Sequence, residues 1–322
     1  MEQARGDVAP RLSICIPTYN MAPWLRGAVG SAVAIGFPDE VEIIVVDNCS
    51  TDETGDVLAE FIGVPNLRVV RAAEHVDMIG NFNRSVRASR GTWVTMLSAD
   101  DELVPDYYAN MRDHLARDDV AAISQTATTC WEDEETAFGP LEPQTFGLEE
   151  LVVSMGSGVC MTTTAFRRDL FDAVDGFCPD ANFIFDVDLF VRLVLTSGLP
   201  IRALGTEGGR YFPLRGSSWQ RLEETGEATA LRQQWVDLRR CELGPEMARA
   251  AEGTLGSLAR YNGLAQLGRG RRDVARREFT VSLRYTHGRE HWKTRAALLA
   301  TRLPGGVAER LVGARAQLVG AR

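Results

Sequence analysis

Short apolar runs alternate with amphipathic segments along the first hundred residues of the chain. Four runs have the length and composition of buried β-strands: 12–17, 41–46, 67–72 and 93–97. Three segments between them carry apolar residues at helical spacing: 22–35, 51–61 and 78–89. Strands that alternate with helices usually form a parallel sheet with helices on both faces. The pattern therefore predicts an α/β fold with a mostly parallel sheet.

This alternation weakens after residue 120 and gives way to helices after residue 220. The middle of the chain predicts strands at 121–127 and 158–166, helices at 148–156 and 186–197, and an acidic loop at 132–147. Five amphipathic segments separated by glycine or proline follow: 228–241, 245–267, 272–285, 291–303 and 307–319. We expect two domains, an α/β domain over 1–220 and a helical C-terminal region over 221–322.

Charge is distributed unevenly between these two regions. Residues 221–322 hold 19 Lys/Arg and 11 Asp/Glu, whereas the first 220 residues hold 16 and 33. The acidic region argues against nucleic acid as a partner, because phosphate backbones bind basic surfaces. The basic region has two interpretations: solvated helix faces that cover the α/β domain, or a surface that contacts an anionic partner or membrane.

The cysteines and the first residues of the chain bear on its compartment. The six cysteines form neither a CxxC pair nor a cluster with histidine, unlike a zinc site or a disulfide framework. The first ten residues carry charges and a proline where a signal peptide is apolar, and no apolar run reaches about 18 residues. We expect a cytoplasmic protein with reduced thiols. Peripheral contact with the inner face of a membrane is the second interpretation of its basic tail.

Several common catalytic motifs are absent from the sequence. It contains no GxGxxG after a predicted strand, no GxxxxGK[ST], no HExxH and no GxSxG. No histidine is clearly placed near a predicted strand end, so histidine-based catalysis has little support. Dehydrogenase, P-loop and catalytic-triad functions are not supported, and carboxylates remain as the candidate catalytic groups.

Aspartates follow two of the predicted strands directly. Asp47 comes directly after the run 41–46, and the pair Asp100-Asp101 follows the run 93–97. Ligands of parallel sheets bind beyond the carboxyl ends of the strands, so both positions are candidate sites. Clustered carboxylates suit Mg²⁺ or Mn²⁺, and Asp47 has the oxygens to accept a hydrogen bond from a base or ribose. Turn or helix capping is the alternative for each.

Two further positions have both a structural and a functional interpretation. Tyr19, after Pro17 and Thr18, is either a core residue or a ring that stacks on a flat base. Asp186 lies at the start of a predicted helix, where the macrodipole favours a carboxylate. Its functional alternative is a general base that removes a proton from an attacking hydroxyl.

Five segments of the chain occur together in a specific order. They are Ile14-Cys-Ile-Pro-Thr-Tyr-Asn20, Ile43-Ile-Val-Val-Asp-Asn-Cys-Ser-Thr-Asp52, Gly91-Thr-Trp-Val-Thr-Met-Leu-Ser-Ala-Asp-Asp101, Gly176-Phe177 and Phe185-Asp-Val-Asp-Leu189. Over about residues 11–220 the chain resembles family 2 of the inverting glycosyltransferases, which has the GT-A fold. The resemblance implies a hexosyltransferase-type enzyme that moves a sugar from a UDP- or dTDP-linked donor to an acceptor hydroxyl.

The resemblance also implies how the donor is held. Four residues at the ends of the first two strands would hold the nucleoside: Pro17, Thr18, Tyr19 and Asp47. Asp101 would bind the Mg²⁺ or Mn²⁺ on the diphosphate. Asp100 would lie beside it, near the donor ribose or sugar.

The catalytic base and a loop over the diphosphate follow from the same resemblance. Asp186 would be the base, but Phe185 replaces the usual glutamate before it, which leaves Asp188 as the alternative. The stretch 210–218 resembles the family's flexible loop over the diphosphate and lacks its usual histidine, for which Arg215 would partly substitute.

Two other functions remain as alternatives. A nucleotidyltransferase uses a similar sheet but usually needs a glycine- and lysine- or arginine-rich loop after the first strand, where this chain has Pro-Thr-Tyr-Asn-Met-Ala-Pro. An inactive glycosyltransferase-like binding module would not need the retained carboxylates. The sequence leaves the acceptor open among a glycan, a lipid-linked molecule and a small molecule.

Overall fold

The computed structural model describes residues 9–131, 134–155, 158–213 and 218–303 of the chain. They form two compact units. The first unit extends to Pro179 and continues over Phe185–Pro213. The second unit comprises Asp180–Ile184 and the chain after Pro213.

The described part of the first unit contains one ten-stranded mixed sheet. Its strands are β1 (Leu12–Thr18), β2 (Val41–Asp47), β3 (Leu67–Arg71), β4 (Trp93–Met96), β5 (Glu102–Leu103), β6 (Ala122–Cys130), β7 (Glu135–Phe138), β8 (Gln144–Phe146), β9 (Thr164–Arg167) and β10 (Ile201–Tyr211). Their order is β3-β2-β1-β4-β9-β6-β10-β5, with β7 beside β6 and β8 beside β10. Six of them, β1 to β4, β6 and β10, run in one direction. The predicted mostly parallel sheet is confirmed.

Helices cover both faces of this sheet. The helices of the first unit are α1 (Ala22–Ala34), α2 (Thr54–Ala59), α3 (Met78–Ala88), α4 (Tyr107–Met111), α5 (Leu148–Ser154), α6 (Arg168–Ala173) and α7 (Phe185–Ser197). Leu25 of α1 packs in one core with Ile14 and Ile16 of β1. On the opposite face the Cys15 thiol contacts the carbonyl oxygen of Ser85 in α3 at 3.5 Å. Every residue of β1 and β2 is buried, which explains why these strands read as continuous apolar runs.

Two sequence predictions for the middle of the chain are wrong. The stretch 132–147 is not a loop over its described residues, because it contains β7 and β8. The stretch 158–166 is not one strand, because a 3₁₀ turn at Met161–Thr163 precedes β9. The sequence patterns also gave no indication of β10, which carries Gly205, Gly208 and Gly209 within its length.

The described part of the second unit is helical, and its short segment Asp180–Ile184 lies in a 3₁₀ helix that Asn182 interrupts. Its helices are α8 (Ser218–Thr225), α9 (Glu227–Gly268), α10 (Arg272–Tyr285) and α11 (Gly288–Ala300). Gly244, with φ of 73°, interrupts α9 directly before Pro245, as the predicted division into two helices requires. The predicted last helix, 307–319, lies outside the described residues. Among the helices that the structure describes, none is both long and apolar enough to cross a membrane.

Candidate active site

The carboxyl ends of β1, β2 and β4 meet at one edge of the sheet. Thr18 at the end of β1 lies directly opposite Asp47 at the end of β2. On the other side of β1, Cys15 pairs with Met96 of β4, and Asp100 and Asp101 follow this strand closely. The fold therefore brings two of the predicted carboxylate positions to the ends of the strands on either side of β1.

Asp47 is the last residue of β2 and begins a tight turn. Its side chain is buried, and its Oδ1 accepts a hydrogen bond of 2.9 Å from the backbone N–H of Ser50. The Nε of Arg71 is 4.0 Å from its Oδ2. The capping interpretation of Asp47 is thus correct for one carboxylate oxygen. Since each oxygen has two lone pairs, the carboxylate retains the capacity to accept a ligand N–H.

The neighbouring predicted nucleoside residues differ in accessibility. Pro17 pairs with Val46 inside the sheet and is buried. Thr18 is also buried, and its Oγ1 has no hydrogen-bond partner in the described structure. The Tyr19 side chain is 44% exposed, so its ring is free to contact a ligand.

His75 lies against Tyr19, a position that the sequence did not clearly indicate for any histidine. The two ring centroids are 4.6 Å apart at an interplanar angle of 64°. Asn48 fixes the segment that carries His75: its Nδ2 donates to the carbonyl oxygen of Val76 at 2.8 Å, and its Oδ1 accepts from the Val76 N–H at 3.0 Å.

Asp101 is almost fully buried, with 1% of its surface exposed. Its Oδ2 accepts a hydrogen bond of 2.7 Å from the Thr162 hydroxyl, and its Oδ1 accepts one of 3.1 Å from the Phe212 N–H. Burial, and then the negative charge of Asp100, raises the pKa of Asp101 to about 7. Burial also raises the pKa of the half-buried Asp100. No basic side chain among the described residues is hydrogen-bonded to Asp101, so this pair of adjacent carboxylates favours a cation.

The donor set fits a magnesium or manganese ion that also binds a substrate. No group of three or more histidine, cysteine or acidic side chains within the described ranges is arranged as a metal site. Mg²⁺ typically uses one or two carboxylates together with substrate phosphates and water, rather than an all-protein cage. Asp101 and Asp100 supply hard oxygen atoms of this kind.

Asp186 lies in the first turn of α7. Its Oδ1 accepts a hydrogen bond of 2.8 Å from the Val187 N–H, and burial raises the pKa of this half-buried carboxyl. The preceding Phe185 is buried between Phe82 and Phe177, at ring-centroid distances of 5.2 and 5.5 Å. The phenylalanine that replaces the usual glutamate therefore anchors the start of α7 in an aromatic cluster.

Asp188 lies in the core of the first unit. Its side chain has no exposed surface, and its Oδ2 accepts a hydrogen bond of 2.7 Å from the Nε of Arg192. The other guanidinium nitrogens of Arg192 donate to the carbonyl oxygens of Val174 and Gly176, both at 2.7 Å. Asp188 is thus part of a buried ion pair, which leaves Asp186 as the accessible carboxylate of this cluster.

Tyr211 and Cys160 are both affected by the charges of Asp101 and Asp186. Burial and the charges of Asp101, Asp100 and Asp186 raise the pKa of the Tyr211 phenol to about 12. Burial, and then the charges of Asp101 and Asp186, raises the pKa of the Cys160 thiol to about 12. Both groups therefore lie within electrostatic range of Asp101 and Asp186.

Sequence reasoning missed three of the residues in this site: Thr162, Cys160 and Tyr211. The only signal for Tyr211 was its place in the stretch 210–218, which resembles the family's loop. Arg215, predicted on the same stretch, lies outside the described residues.

Comparison with known proteins identifies the family. A family model described as Glycosyl transferase family 2 matches residues 13–175, just over half of the chain. The chain belongs to glycosyl transferase family 2.

Two relatives illustrate the range of sequence similarity. A PGL/p-HBAD biosynthesis glycosyltransferase from Mycobacterium bovis is 28% identical over 221 residues, covering 65% of this chain and 80% of that protein. The succinoglycan biosynthesis protein ExoO of Rhizobium meliloti is 32% identical over 105 residues, covering 33% of this chain. That match spans only 30% of the ExoO sequence.

Solved structures show the same fold at lower sequence identity. S. aureus TarS (residues 1–349), solved with UDP-GlcNAc, has a TM-score of 0.63 at 15% identity and covers 96% of this chain and 92% of that chain. The mannosyltransferase PcManGT of Pyrobaculum calidifontis, solved with GDP-Man and Mn²⁺, has a TM-score of 0.56 at 18% identity, covering 98% and 86%. The predicted GT-A-type fold of this family 2 chain is confirmed.

Proposed function

We propose that this family 2 chain is an inverting, metal-dependent glycosyltransferase that uses a UDP- or dTDP-linked sugar and an acceptor hydroxyl. The observation that carries the proposal is that Asp47 and the pair Asp100-Asp101 lie at the carboxyl edge of one sheet, where the Phe212 N–H at the end of β10 binds Asp101. The charges of Asp101, Asp100 and Asp186 all act on the adjacent Tyr211 phenol. A diphosphate leaving group and an attacking hydroxyl need a cation site and a base in one place. This cluster supplies candidates for both.

The nucleoside of the donor would lie over the ends of β1 and β2. Tyr19 offers an exposed ring for stacking on the base. Asp47 would accept a hydrogen bond from the ring N–H of uracil or thymine through Oδ2, the oxygen that does not bind the Ser50 N–H. The complex of S. aureus TarS with UDP-GlcNAc supports a uridine donor by similarity of fold.

Asp101, with Asp100 beside it, would hold Mg²⁺ or Mn²⁺ on the donor diphosphate. The bound ion would stabilise the negative charge that develops on the leaving phosphate oxygen. The Mn²⁺ in the complex of PcManGT supports this assignment. Arg215 would help to stabilise this negative charge. It follows Phe212 by three residues, and the Phe212 N–H donates a hydrogen bond to Asp101.

Asp186 would act as the general base. Its carboxylate would accept the proton of the acceptor hydroxyl while that oxygen attacks the anomeric carbon from the face opposite the diphosphate. The bond between the anomeric carbon and the diphosphate oxygen breaks in the same step, so the configuration inverts and no sugar–enzyme bond forms. A carboxylate with a raised pKa is a stronger base when ionised, and burial raises the pKa of Asp186.

The names of similar proteins bear on the class of acceptor. The names of two relatives, a PGL/p-HBAD biosynthesis glycosyltransferase and a succinoglycan biosynthesis protein, support a glycan or lipid-linked acceptor. The scattered cysteines support a cytoplasmic site of action. A basic C-terminal region in peripheral contact with a membrane would suit a lipid-linked acceptor.

The test is a calorimetric titration of UDP, dTDP and GDP into the chain with Mn²⁺, followed by an assay of UDP-sugar hydrolysis. We expect UDP or dTDP to bind more tightly than GDP, and hydrolysis to stop in EDTA. Asp101→Asn should weaken UDP binding only when Mn²⁺ is present. Hydrolysis at the full rate in EDTA would contradict metal dependence, and binding without hydrolysis would favour an inactive module.

A further inference from the structure

We propose that Trp131 and Tyr211 form the acceptor subsite, and that the acceptor is a carbohydrate whose pyranose ring stacks on the Trp131 indole. The proposal rests on the function proposed above, which requires an acceptor hydroxyl close to Asp186. It adds the acceptor's chemical class and the residues that bind it.

The fold places both aromatic residues at the same edge of the sheet as the carboxylates. β6 and β10 run parallel to each other and in the same direction as β1, β2 and β4. Trp131 directly follows β6, and Tyr211 ends β10. Their carboxyl ends therefore meet the same space as the ends of the donor strands.

The register places the two side chains on one face. Tyr211 lies directly opposite Thr129 of β6, and opposed residues of parallel strands project to the same face. Trp131 is two residues beyond Thr129, so strand alternation assigns it to that face as well. A hydrogen bond of 2.8 Å from the Trp131 N–H to the Glu134 carbonyl oxygen fixes the backbone at this point.

Tyr211 lies between Trp131 and the reacting groups. The N–H of the next residue, Phe212, binds the Asp101 carboxylate, and the charges of Asp101, Asp100 and Asp186 act on the Tyr211 phenol. A general base must come within hydrogen-bond distance of the proton that it removes. The acceptor ring is therefore expected on the surface beside Asp186, which Tyr211 borders.

This surface is distant from the nucleoside. In strand order, β2, which carries Asp47, and β6, which Trp131 follows, are separated by four inter-strand spacings. At about 4.8 Å per spacing this is about 19 Å along the sheet. A ligand on Trp131 is therefore not the donor base, for which Tyr19 is available.

The chemistry of the two side chains fits a pyranose. Trp131 is 53% exposed and Tyr211 is 38% exposed, so each presents an apolar ring with a polar tip to solvent. A pyranose has an apolar face of C–H groups and a rim of hydroxyls. The indole would cover the apolar face, and the Tyr211 hydroxyl would hydrogen-bond to the rim and orient one hydroxyl towards Asp186.

The experiment uses methyl α- and β-glycosides of glucose, galactose and mannose as probes. Binding to the full chain is measured by saturation-transfer NMR, with Mn²⁺ replaced by Mg²⁺ and with the nucleoside diphosphate that binds in the titration above. We expect transfer to ring C–H protons of at least one glycoside. Trp131→Ala should weaken that affinity at least tenfold, and Tyr211→Phe several-fold.

Trp292→Ala is the matched control, because this tryptophan is 68% exposed and lies in the second unit. It should leave glycoside binding unchanged, and all three variants should bind the nucleoside diphosphate like the wild type. If the wild type binds the nucleotide but none of the glycosides, or if Trp131→Ala binds them normally, the acceptor proposal is overturned and the glycosyltransferase proposal stands. If the wild type binds no nucleotide, both are overturned.

Discussion

Asp186 and Asp188 lie two residues apart at the start of α7, but their side chains have different surroundings. Asp188 is fully buried and paired with Arg192 at 2.7 Å. Asp186 is half-buried, and the interaction that holds it is a hydrogen bond from the adjacent Val187 N–H. A side chain that must receive a proton from a ligand needs access, so the two residues should respond differently to the same substitution.

We expect Asp186→Asn to lower kcat by about 10²–10⁴-fold, the usual contribution of a general base, while donor affinity is retained. Asp188→Asn should instead destabilise the fold by roughly 3–5 kcal/mol, because it leaves the Arg192 charge buried without its partner. Steady-state kinetics and urea unfolding of both variants measure the two effects. A larger loss of kcat in a folded Asp188→Asn protein than in Asp186→Asn would assign the base to Asp188.

At the opposite end of the site, Asp47 should contribute to donor affinity rather than to the chemical step. Losing one charge-assisted hydrogen bond costs about 1.5–3 kcal/mol, so Asp47→Ala should raise the dissociation constant of UDP roughly ten- to a hundredfold. Asp47→Asn is the companion variant, because its amide oxygen still accepts the Ser50 N–H. Calorimetry that finds unchanged UDP affinity in both variants would refute the assignment.

The hydrophobic pattern placed two site residues that follow an apolar strand, whereas Asp186 was placed by the start of a predicted helix. Asp47 and Asp101 could be placed in this way because strand ends are visible in the pattern. The partners of Asp101 were not, since Thr162 and Phe212 are 61 and 111 residues away along the chain. Contacts of this separation depend on strand order, which a single sequence does not display.

At the scale of elements, Asn83 joins α3 to the turn after α6. Its Nδ2 donates to the Phe177 carbonyl oxygen at 2.9 Å, and its Oδ1 accepts from the Phe177 N–H at 2.8 Å. Asn83 is buried in the helix face, and Phe177 packs on Phe185. One amide side chain thus holds in place the aromatic cluster from which α7 and Asp186 begin.

Asn83→Ala should lower the free energy of unfolding by about 2 kcal/mol or more, because both backbone groups of Phe177 lose their partner in a buried place. Asn83→Asp keeps the acceptor for the N–H but loses the donor, so we expect an intermediate loss. Urea unfolding curves of the three proteins give the comparison. Equal stability of Asn83→Ala and the wild type would show that the Asn83 contacts contribute nothing to the aromatic cluster.

Elements were predictable where one periodicity runs undisturbed. The first four strands and the helices between them follow the apolar pattern, whereas β10 was missed because three glycines break its pattern. One of these glycines is required by packing: a Cβ on Gly209 would lie 2.6 Å from the carbonyl oxygen of Glu102 in β5. Short strands such as β7 and β8 were hidden for another reason, since their residues are mostly exposed and polar.

At the scale of the whole molecule, the second unit contains a buried acid. Glu278 of α10 is 2% exposed, and its Oε2 accepts a hydrogen bond of 2.8 Å from the Thr229 hydroxyl in α9. Burial raises the pKa of Glu278 to about 7, although Thr229 and the charges of Arg232 and Arg277 act in the opposite direction. The folded state therefore favours the protonated acid, and its stability should fall as pH rises from about 4.5 through about 7.

Glu278→Gln should accordingly unfold at a higher temperature than the wild type at pH 8, and the difference should shrink towards pH 5. Glutamine keeps an oxygen for Thr229 and needs no proton. The exposed Glu246 of α9 provides the control, because Glu246→Gln should shift the midpoint little at either pH. Thermal unfolding followed by circular dichroism measures the midpoints of the wild type and both variants. The assignment would be contradicted if the gain in midpoint of Glu278→Gln over the wild type were smaller at pH 8 than at pH 5.

The position of β9 in the sheet has a consequence for biosynthesis. β4 ends at Met96, but its outer neighbour β9 ends at Arg167, about 70 residues later. At roughly 5–20 residues per second, a ribosome needs about 4–14 s to supply that neighbour. During this interval the nascent chain presents one edge of β4 with unpaired N–H and C=O groups, which is a template for pairing with other chains. Chaperone binding to this intermediate would protect the growing polypeptide from aggregation until β9 emerges.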